Sequence, residues 1–243
     1  PTRRSSDLWG FFMGCKSPVK GYKCPVSGGL TFDRTAIKMD VPCGKCIGCR
    51  LDYSFVWAIR MVHEAQLYAR NVFVTLTYRS KKECTLQQRY DNHHVPEDWS
   101  LNKKHFQDFM KRLRKARPGI KIRYFHCGEY GRKCRHGIDL RLVECPMGCI
   151  LGRPHYHAAL FNVGFDDLLS YTSDYGVIRY TSPELEKIWK YGFVDVAELN
   201  FQSASYIARY MLKKISGVLA DNHYYGYDEE GRGLYLQREY STM

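Results

Sequence analysis

The stretch Gly152-Arg153-Pro154-His155-Tyr156-His157-Ala158-Ala159-Leu160-Phe161 sets two histidines into what is otherwise the sequence of a buried strand. Side chains two positions apart in a strand point to the same face. We therefore expect His155 and His157 to project together, with Tyr156 on the opposite face. Two imidazoles on one side of a rigid strand are half of a metal site, although an isolated pair is more often hydrogen-bonded within its sheet.

The composition is that of a globular protein suited to a polyanionic partner. The 243 residues carry 37 Lys and Arg against 25 Asp and Glu, a net charge of +12, for which a merely basic enzyme is the alternative interpretation. The 19 tyrosines and 12 phenylalanines offer base-stacking platforms, although most must be core. No apolar run approaches the ~20 residues of a membrane span and no secretory signal is recognised, so we expect no membrane partner.

The ten cysteines fall mostly into two groups. In a chain without a secretory signal, clustered cysteines indicate metal binding before disulfides. The first group needs a fourth ligand, predicted to be Cys24 with Cys15 as the alternative, beside Cys43, Cys46 and Cys49. The second group consists of Cys134, His136, Cys145 and Cys149. We predict structural zinc at both, and the alternative is a reduced, metal-free knuckle.

Periodicity predicts an irregular N-terminal segment (1–42), a mixed domain (43–216) and a C-terminal tail (217–243). Helices are predicted at 50–70, at 101–117, from Pro183 to just before Gly192 with Ser182 as N-cap, and at 202–214. Strands are predicted at 71–78, 120–129, 154–163 and 193–199. Residues 164–181 are expected to be loop, and 130–151 a cysteine-bearing insertion. The helix at 101–117 has one apolar face and is otherwise basic, which makes it a candidate phosphate-contacting surface.

Glu129 ends the strand that precedes the histidine strand. In an antiparallel hairpin it can lie beside His155 and His157, completing a two-histidine, one-carboxylate metal site with open positions. The alternative is a surface acid near a turn.

Tyr206 and Tyr210 are four residues apart in the last predicted helix, so both hydroxyls are expected on one helix face, with Lys213 and Lys214 one turn further on. Such a pair is usually packing. A tyrosine can instead be a covalent nucleophile toward a phosphodiester that a metal polarises.

The order of these motifs resembles the His-hydrophobe-His (HUH) single-strand endonucleases: Thr75-Leu76-Thr77-Tyr78, then His155-Tyr156-His157, then a tyrosine helix. Relaxases that start conjugative transfer place the tyrosine first, which argues against that class. Within the HUH enzymes the chain resembles the rolling-circle replication initiators of microviruses, small single-stranded DNA phages of the gokushovirus type. The matching stretches are Cys43-Gly44-Lys45-Cys46-Ile47-Gly48-Cys49-Arg50, Gly152-Arg153-Pro154-His155-Tyr156-His157 and Tyr206-Ile207-Ala208-Arg209-Tyr210. The insertion between Glu129 and His155 is longer than the family pattern.

The resemblance implies an α+β fold, with a central antiparallel sheet flanked by helices and cysteine-rich zinc-type appendages. It implies that His155, His157 and Glu129 hold Mg²⁺ or Mn²⁺ and that Tyr206 and Tyr210 share two cuts, aided by Lys214 or Lys213. The implied DNA contacts are Thr75, Thr77, Tyr78, Arg153 and Arg209.

The implied function is nicking and rejoining of single-stranded origin DNA through a 5′-phosphotyrosine, which leaves a 3′-OH that primes replication. The implied partners are the origin DNA and the host DNA polymerase and helicase, in the cytoplasm of a bacterial host. The alternative is a non-catalytic, zinc-stabilised single-stranded nucleic-acid-binding protein.

Overall fold

The computed structural model describes residues 14–31, 33–34, 36–172, 176, 178–213, 218–227 and 232–242, with backbone alone for 211–213 and 218. They form two compact units, divided between Trp57 and Ala58. Within these ranges, no helix is both long and apolar enough to cross a bilayer.

The N-terminal unit contains a small antiparallel sheet with the strand order β2-β1-β3. Its strands are β1 (Val19–Lys23), β2 (Leu30–Thr31) and β3 (Ile37–Val41). Helix α1 (Ile47–Ala65) begins in this unit and continues into the next. The prediction of an irregular segment at 1–42 is therefore wrong for its described part. The glycines and prolines that suggested irregularity lie largely in the turns between strands, and Gly21 lies within β1 because a Cβ there would meet the Val41 side chain at 2.7 Å.

The second unit is organised on a seven-stranded antiparallel sheet with the order β12-β5-β6-β4-β9-β8-β7. This confirms the α+β class with a large antiparallel sheet flanked by helices. The strands are β4 (Asn71–Tyr78), β5 (Arg123–Tyr130), β6 (Pro154–Phe161), β7 (Leu169–Thr172), β8 (Ile178–Thr181), β9 (Gly192–Glu198) and β12 (Tyr240–Thr242), and a separate hairpin contains β10 (Tyr225–Tyr227) and β11 (Gly233–Tyr235).

Five further helices belong to this unit: α2 (Leu86–Tyr90), α3 (Lys103–Ala116), α4 (Pro183–Trp189), α5 (Phe201–Lys213) and α6 (Val218–Tyr224). Helix α4 begins as predicted, because the Ser182 hydroxyl accepts a hydrogen bond from Leu185 N and proline occupies the first helical position.

Two predictions on secondary structure are wrong. Residues 164–181 contain β7 and β8, which extend the sheet beyond β9. Residues 217–243 contain α6 and three strands rather than a tail, and β12 pairs with β5 through the register Tyr240↔Gly128. Both segments depend on pairing with distant strands, which local periodicity does not report.

Period-2 alternation separates the two faces of the large sheet. On one face Val74, Leu76 and Tyr156 pack with α3 and α4 into the hydrophobic core. Trp189 of α4 is fully buried there, and its indole N–H donates to Thr77 O at 3.2 Å. The basic helix α3 therefore lies on the face opposite His155 and His157.

Candidate active site

The register of the three central strands places the predicted metal ligands on one face of the sheet. Glu129 of β5 is directly opposite His155 of β6. On the other side of β6, Thr77 is opposite His155 and Thr75 is opposite His157. Directly opposed residues of an antiparallel pair share a face, so the long insertion between β5 and β6 has not shifted the hairpin register.

The three side chains converge on one point. The Nε2 atoms of His155 and His157 lie 2.7 Å and 3.1 Å from the same carboxylate oxygen, Oε1 of Glu129. The three ligand atoms all lie within 4.8 Å of one another. Two imidazole nitrogens and one carboxylate oxygen are a donor set that suits Mn²⁺ and accepts Mg²⁺.

The outer ring nitrogens of the histidines are held by fixed oxygen atoms. His157 Nδ1 is 2.9 Å from the Thr75 hydroxyl, and His155 Nδ1 is 3.2 Å from the carbonyl oxygen of Arg153. A carbonyl only accepts, so Nδ1 of His155 carries the proton and its Nε2 needs either a second proton or a cation to face Glu129. This is how metal-binding histidines are usually oriented, and the residues present therefore fit a divalent ion.

The carboxylate is buried, with Glu129 only 4% exposed. Burial favours the neutral acid, but hydrogen bonds with His155 and His157 outweigh it and hold the pKa of Glu129 well below its usual range. The group is therefore an anion poised for a cation.

Helix α5 brings the two tyrosines to this point by packing on β5 and β6. Its inner face is formed by Ala204, Ile207 and Ala208, each 0% exposed. The Tyr210 ring stacks on His157 with centroids 5.0 Å apart, and the Tyr206 ring meets the same imidazole edge-on at 5.3 Å.

The two phenols differ in environment. Tyr206 is 44% exposed, whereas Tyr210 is 8% exposed. Burial raises the pKa of Tyr210, and the charge of Glu129 and a hydrogen bond with Tyr206 raise it further. The pair thus presents one accessible and one enclosed hydroxyl beside the same imidazole.

The other predicted catalytic and DNA-contacting residues have mixed outcomes. Lys214 lies outside the described residues, and Lys213 is described only by its backbone in α5. Arg209 is exposed on α5, and Arg153 donates to Tyr78 O at 3.2 Å. Tyr78 is 0% exposed and its hydroxyl lies 2.9 Å from that of Tyr156, so its predicted DNA contact is wrong.

The first cysteine cluster, in the N-terminal unit, corrects the predicted ligand set. The thiols whose sulfur atoms lie within 4.8 Å of one another are those of Cys15, Cys43, Cys46 and Cys49, and Cys24 is not among them. The Sγ atoms of Cys15 and Cys46 are 3.9 Å apart, close to the ~3.8 Å edge of a tetrahedral zinc–thiolate site. Backbone N–H groups, first that of Cys49, lower the pKa of the Cys46 thiol to about 6.

Cys24 belongs instead to the turn after β1, where its sulfur accepts a hydrogen bond from Ser27 N at 3.5 Å. The sequence left Cys15 and Cys24 open because both precede the knuckle at a distance that carries no spacing signal.

The second cysteine cluster lies in the β5–β6 connection, as predicted. The ligand atoms of Cys134, His136, Cys145 and Cys149 are mutually within 4.8 Å. His136 Nδ1 is 3.4 Å from Cys145 Sγ and 3.3 Å from Cys149 Sγ, near the ~3.6 Å edge expected around zinc. Gly148 turns the chain between the two thiols at φ +71°, a conformation that favours glycine.

Phe73 is a site residue that the sequence analysis missed. Its ring stacks on His157 with centroids 5.6 Å apart and lies 6.1 Å from the ring of Tyr206. The signal was present, because Phe73 is two residues before Thr75 and so shares its face of β4.

Comparison with known proteins gives a consistent family assignment. The sequence model of the Replication-associated protein ORF2 family matches residues 71–138 and 143–215. Both segments together contain the five residues of the candidate site.

Three curated relatives share much of the chain. It is 37% identical over 180 residues to Replication-associated protein ORF2 of Spiroplasma virus 4, covering 72% of the chain and 48% of that relative. It is 31% identical over 227 residues to Replication-associated protein VP4 of Bdellovibrio phage phiMH2K, covering 88% of the chain and 62% of that relative. It is 30% identical over 185 residues to Replication-associated protein ORF4 of Chlamydia phage 1, covering 72% of the chain and 38% of that relative. The chain thus spans about half the length of these relatives, and no solved structure matches it significantly.

Proposed function

This chain belongs to the Replication-associated protein ORF2 family, and from that premise we propose that it is a metal-dependent endonuclease and strand transferase for single-stranded DNA. The proposed role is initiation of rolling-circle replication at an origin, in the cytoplasm of a bacterial host. The host DNA polymerase and helicase are the proposed partners that use the new 3′ end.

One observation supports the chemistry most directly. Glu129, His155 and His157 converge within 4.8 Å, and the rings of two tyrosines lie 5.0 and 5.3 Å from one of those imidazoles. A structural histidine pair does not require a buried anion, and a merely DNA-coating protein does not require paired phenols beside it.

In the proposed reaction, Glu129, His155 and His157 hold a divalent ion, whose chemistry when bound is Lewis-acid polarisation of the scissile phosphate. A tyrosine hydroxyl attacks phosphorus. The new phenol O–P bond forms as the P–O3′ bond breaks, the phenol loses its proton and the departing 3′ oxygen gains one.

The protein remains joined to the 5′ phosphate, and the free 3′-OH serves as a primer. The second tyrosine can make the later cut, and attack by a 3′-OH on the phosphotyrosine rejoins the strand without ATP. Thr75 and the Arg153 carbonyl keep the imidazoles oriented throughout.

A labelled single-stranded oligonucleotide carrying the phage origin tests this proposal. Incubation with Mn²⁺ or Mg²⁺ is expected to yield a protein–DNA adduct that survives a denaturing gel, and replacing the divalent ion by a monovalent salt is expected to stop it. Retained binding without any adduct, with either ion, would instead identify a non-catalytic single-stranded DNA-binding protein.

Replacement of Thr75 by Val removes the hydroxyl that orients His157 while preserving side-chain shape. We expect the affinity for Mn²⁺ to fall about 10- to 100-fold, which is typical when the group behind a metal-binding histidine is lost. Titration of cleavage rate against Mn²⁺ measures this, and the maximal rate should recover at high Mn²⁺. Thr77→Val, two residues along the same strand, is the matched control, and an equal loss in both variants would contradict the role of Thr75.

A further inference from the structure

The face of the sheet that carries the metal cluster continues past it onto strands β9, β8 and β7. Thr77, opposite His155, is also opposite Phe193 of β9, and Thr75 is opposite Asp195. Because strands are about 4.8 Å apart, Phe193 lies roughly 10 Å from His155 across the sheet. Val194 and Val196 point to the other face and into the core.

This part of the face is aromatic and open. Phe193 is 43% exposed, and the guanidinium carbon of Arg79 lies 4.8 Å from its ring centroid. Tyr171 of β7 is 40% exposed and its hydroxyl donates to Asp195. Tyr171 is four strands from His157, or about 20 Å across the sheet.

The charges on this face favour an anion. Arg79 lies beside Phe193, and Arg179 lies directly opposite Tyr171, 3.6 Å from the carboxylate of Asp195. The one acid among these residues is thus already paired, and the whole chain carries a net charge of +12. Flat rings interleaved with arginines are the chemistry that receives stacked bases and the phosphates between them.

We propose that Phe193 with Arg79, and beyond them Tyr171, form a base-stacking track that holds the single-stranded DNA flanking the scissile phosphate. The inference rests on the proposed function and assigns the open half of the same face to its substrate. The DNA passes from the cation site across β4 and β9 toward β7, and its bases rest on the exposed rings. Because any base has a π face, this track contributes affinity and position rather than sequence specificity.

Binding without catalysis tests the track. A short fluorescein-labelled single-stranded oligonucleotide is titrated with the full chain in buffer lacking divalent ions, and fluorescence anisotropy gives Kd. We expect Phe193→Ala to raise Kd roughly 5- to 100-fold, and Phe193→Leu to raise it similarly because Leu is apolar but cannot stack. Phe193→Trp is expected to restore binding.

The control is on the same hairpin. Tyr180 is 44% exposed, but its register with Val196 places it on the opposite face from Tyr171. We expect Tyr171→Ala to weaken binding and Tyr180→Ala to leave Kd within about twofold of the unmodified protein. Thermal melting of every variant monitors folding.

The outcomes separate this inference from the enzymatic proposal. Wild-type affinity in Phe193→Leu, or equal losses in the Tyr171 and Tyr180 variants, overturns the track. A change in molecular mass by light scattering without a change in Kd would make this face a contact between copies of the chain, and overturns it as well. If the unmodified protein forms no adduct but Phe193→Leu still loses DNA, the track stands and the endonuclease proposal fails. Where adducts form, Phe193→Ala should raise KM and leave kcat unchanged, since the ring lies away from the reacting atoms.

Discussion

Replacing Tyr206 and Tyr210 together by Phe is expected to abolish covalent protein–DNA adducts while the protein still binds oligonucleotide. Both variants keep the rings that pack against His157 and remove only the hydroxyls. Loss of the nucleophile should lower adduct formation by on the order of a thousandfold or more. The measurement is the yield of labelled adduct on a denaturing gel with Mn²⁺, beside Kd by anisotropy.

Tyr90→Phe is the matched control, because Tyr90 is 85% exposed in α2 and lies outside the candidate site. It should form adducts at the unmodified rate. Adducts that persist in the double variant would show that neither phenol is the nucleophile. Loss of DNA binding together with adducts would indicate a role in binding rather than in chemistry.

Loss of a single thiol from either cysteine cluster is expected to remove one of two zinc ions per chain. We expect two equivalents of zinc in the unmodified protein, and one in either Cys46→Ser or Cys145→Ser. A structural zinc site contributes on the order of 10 kcal/mol to the folding of its module, so that module should open and become sensitive to protease. Elemental analysis of purified protein gives the stoichiometry, and limited proteolysis locates the opened segment.

Cys24→Ser is the control that separates the two predicted ligand sets. It should retain both zinc ions, because Cys24 lies outside both clusters, whereas Cys15→Ser should lose one. One zinc in Cys24→Ser and two in Cys15→Ser would reverse this assignment. Unmodified protein that contains no zinc would leave both clusters as reduced thiols.

The central hairpin could be predicted from the sequence because its signals are local. The alternation of His155, Tyr156 and His157 defines two faces, and Glu129 ends the neighbouring strand. An antiparallel pairing then fixes which side chains meet. The spacing of Tyr206 and Tyr210 likewise determines that they share a helix face, and the fold supplies the remaining fact that this face covers β5 and β6.

The misses have physical reasons of two kinds. Cys15 and β12 reach their partners across long sequence separations, where neither spacing nor periodicity carries information. Tyr78 and Phe193 are different, because the alternation that identifies their strands also assigns their faces. Tyr78 is one residue out of phase with Thr77 and points into the core, while Phe193 is out of phase with Val194 and Val196 and points outward.

The hydrogen bonding of the β5–β6 hairpin extends past its metal ligands before the cysteine cluster begins. Tyr130 pairs with Pro154, Gly131 N donates to Arg153 O at 2.9 Å, and Arg153 N donates to Lys133 O at 2.9 Å. Gly152 fits closely there, since a Cβ would overlap Gly131 O at 2.2 Å. These rungs separate the tip of the hairpin from its root, so a tip rebuilt with another length or another function would still deliver an acid and two imidazoles to the same address. The connection is therefore a grafting position, at which an enzyme of this kind can gain or shed a module without rebuilding its reactive centre.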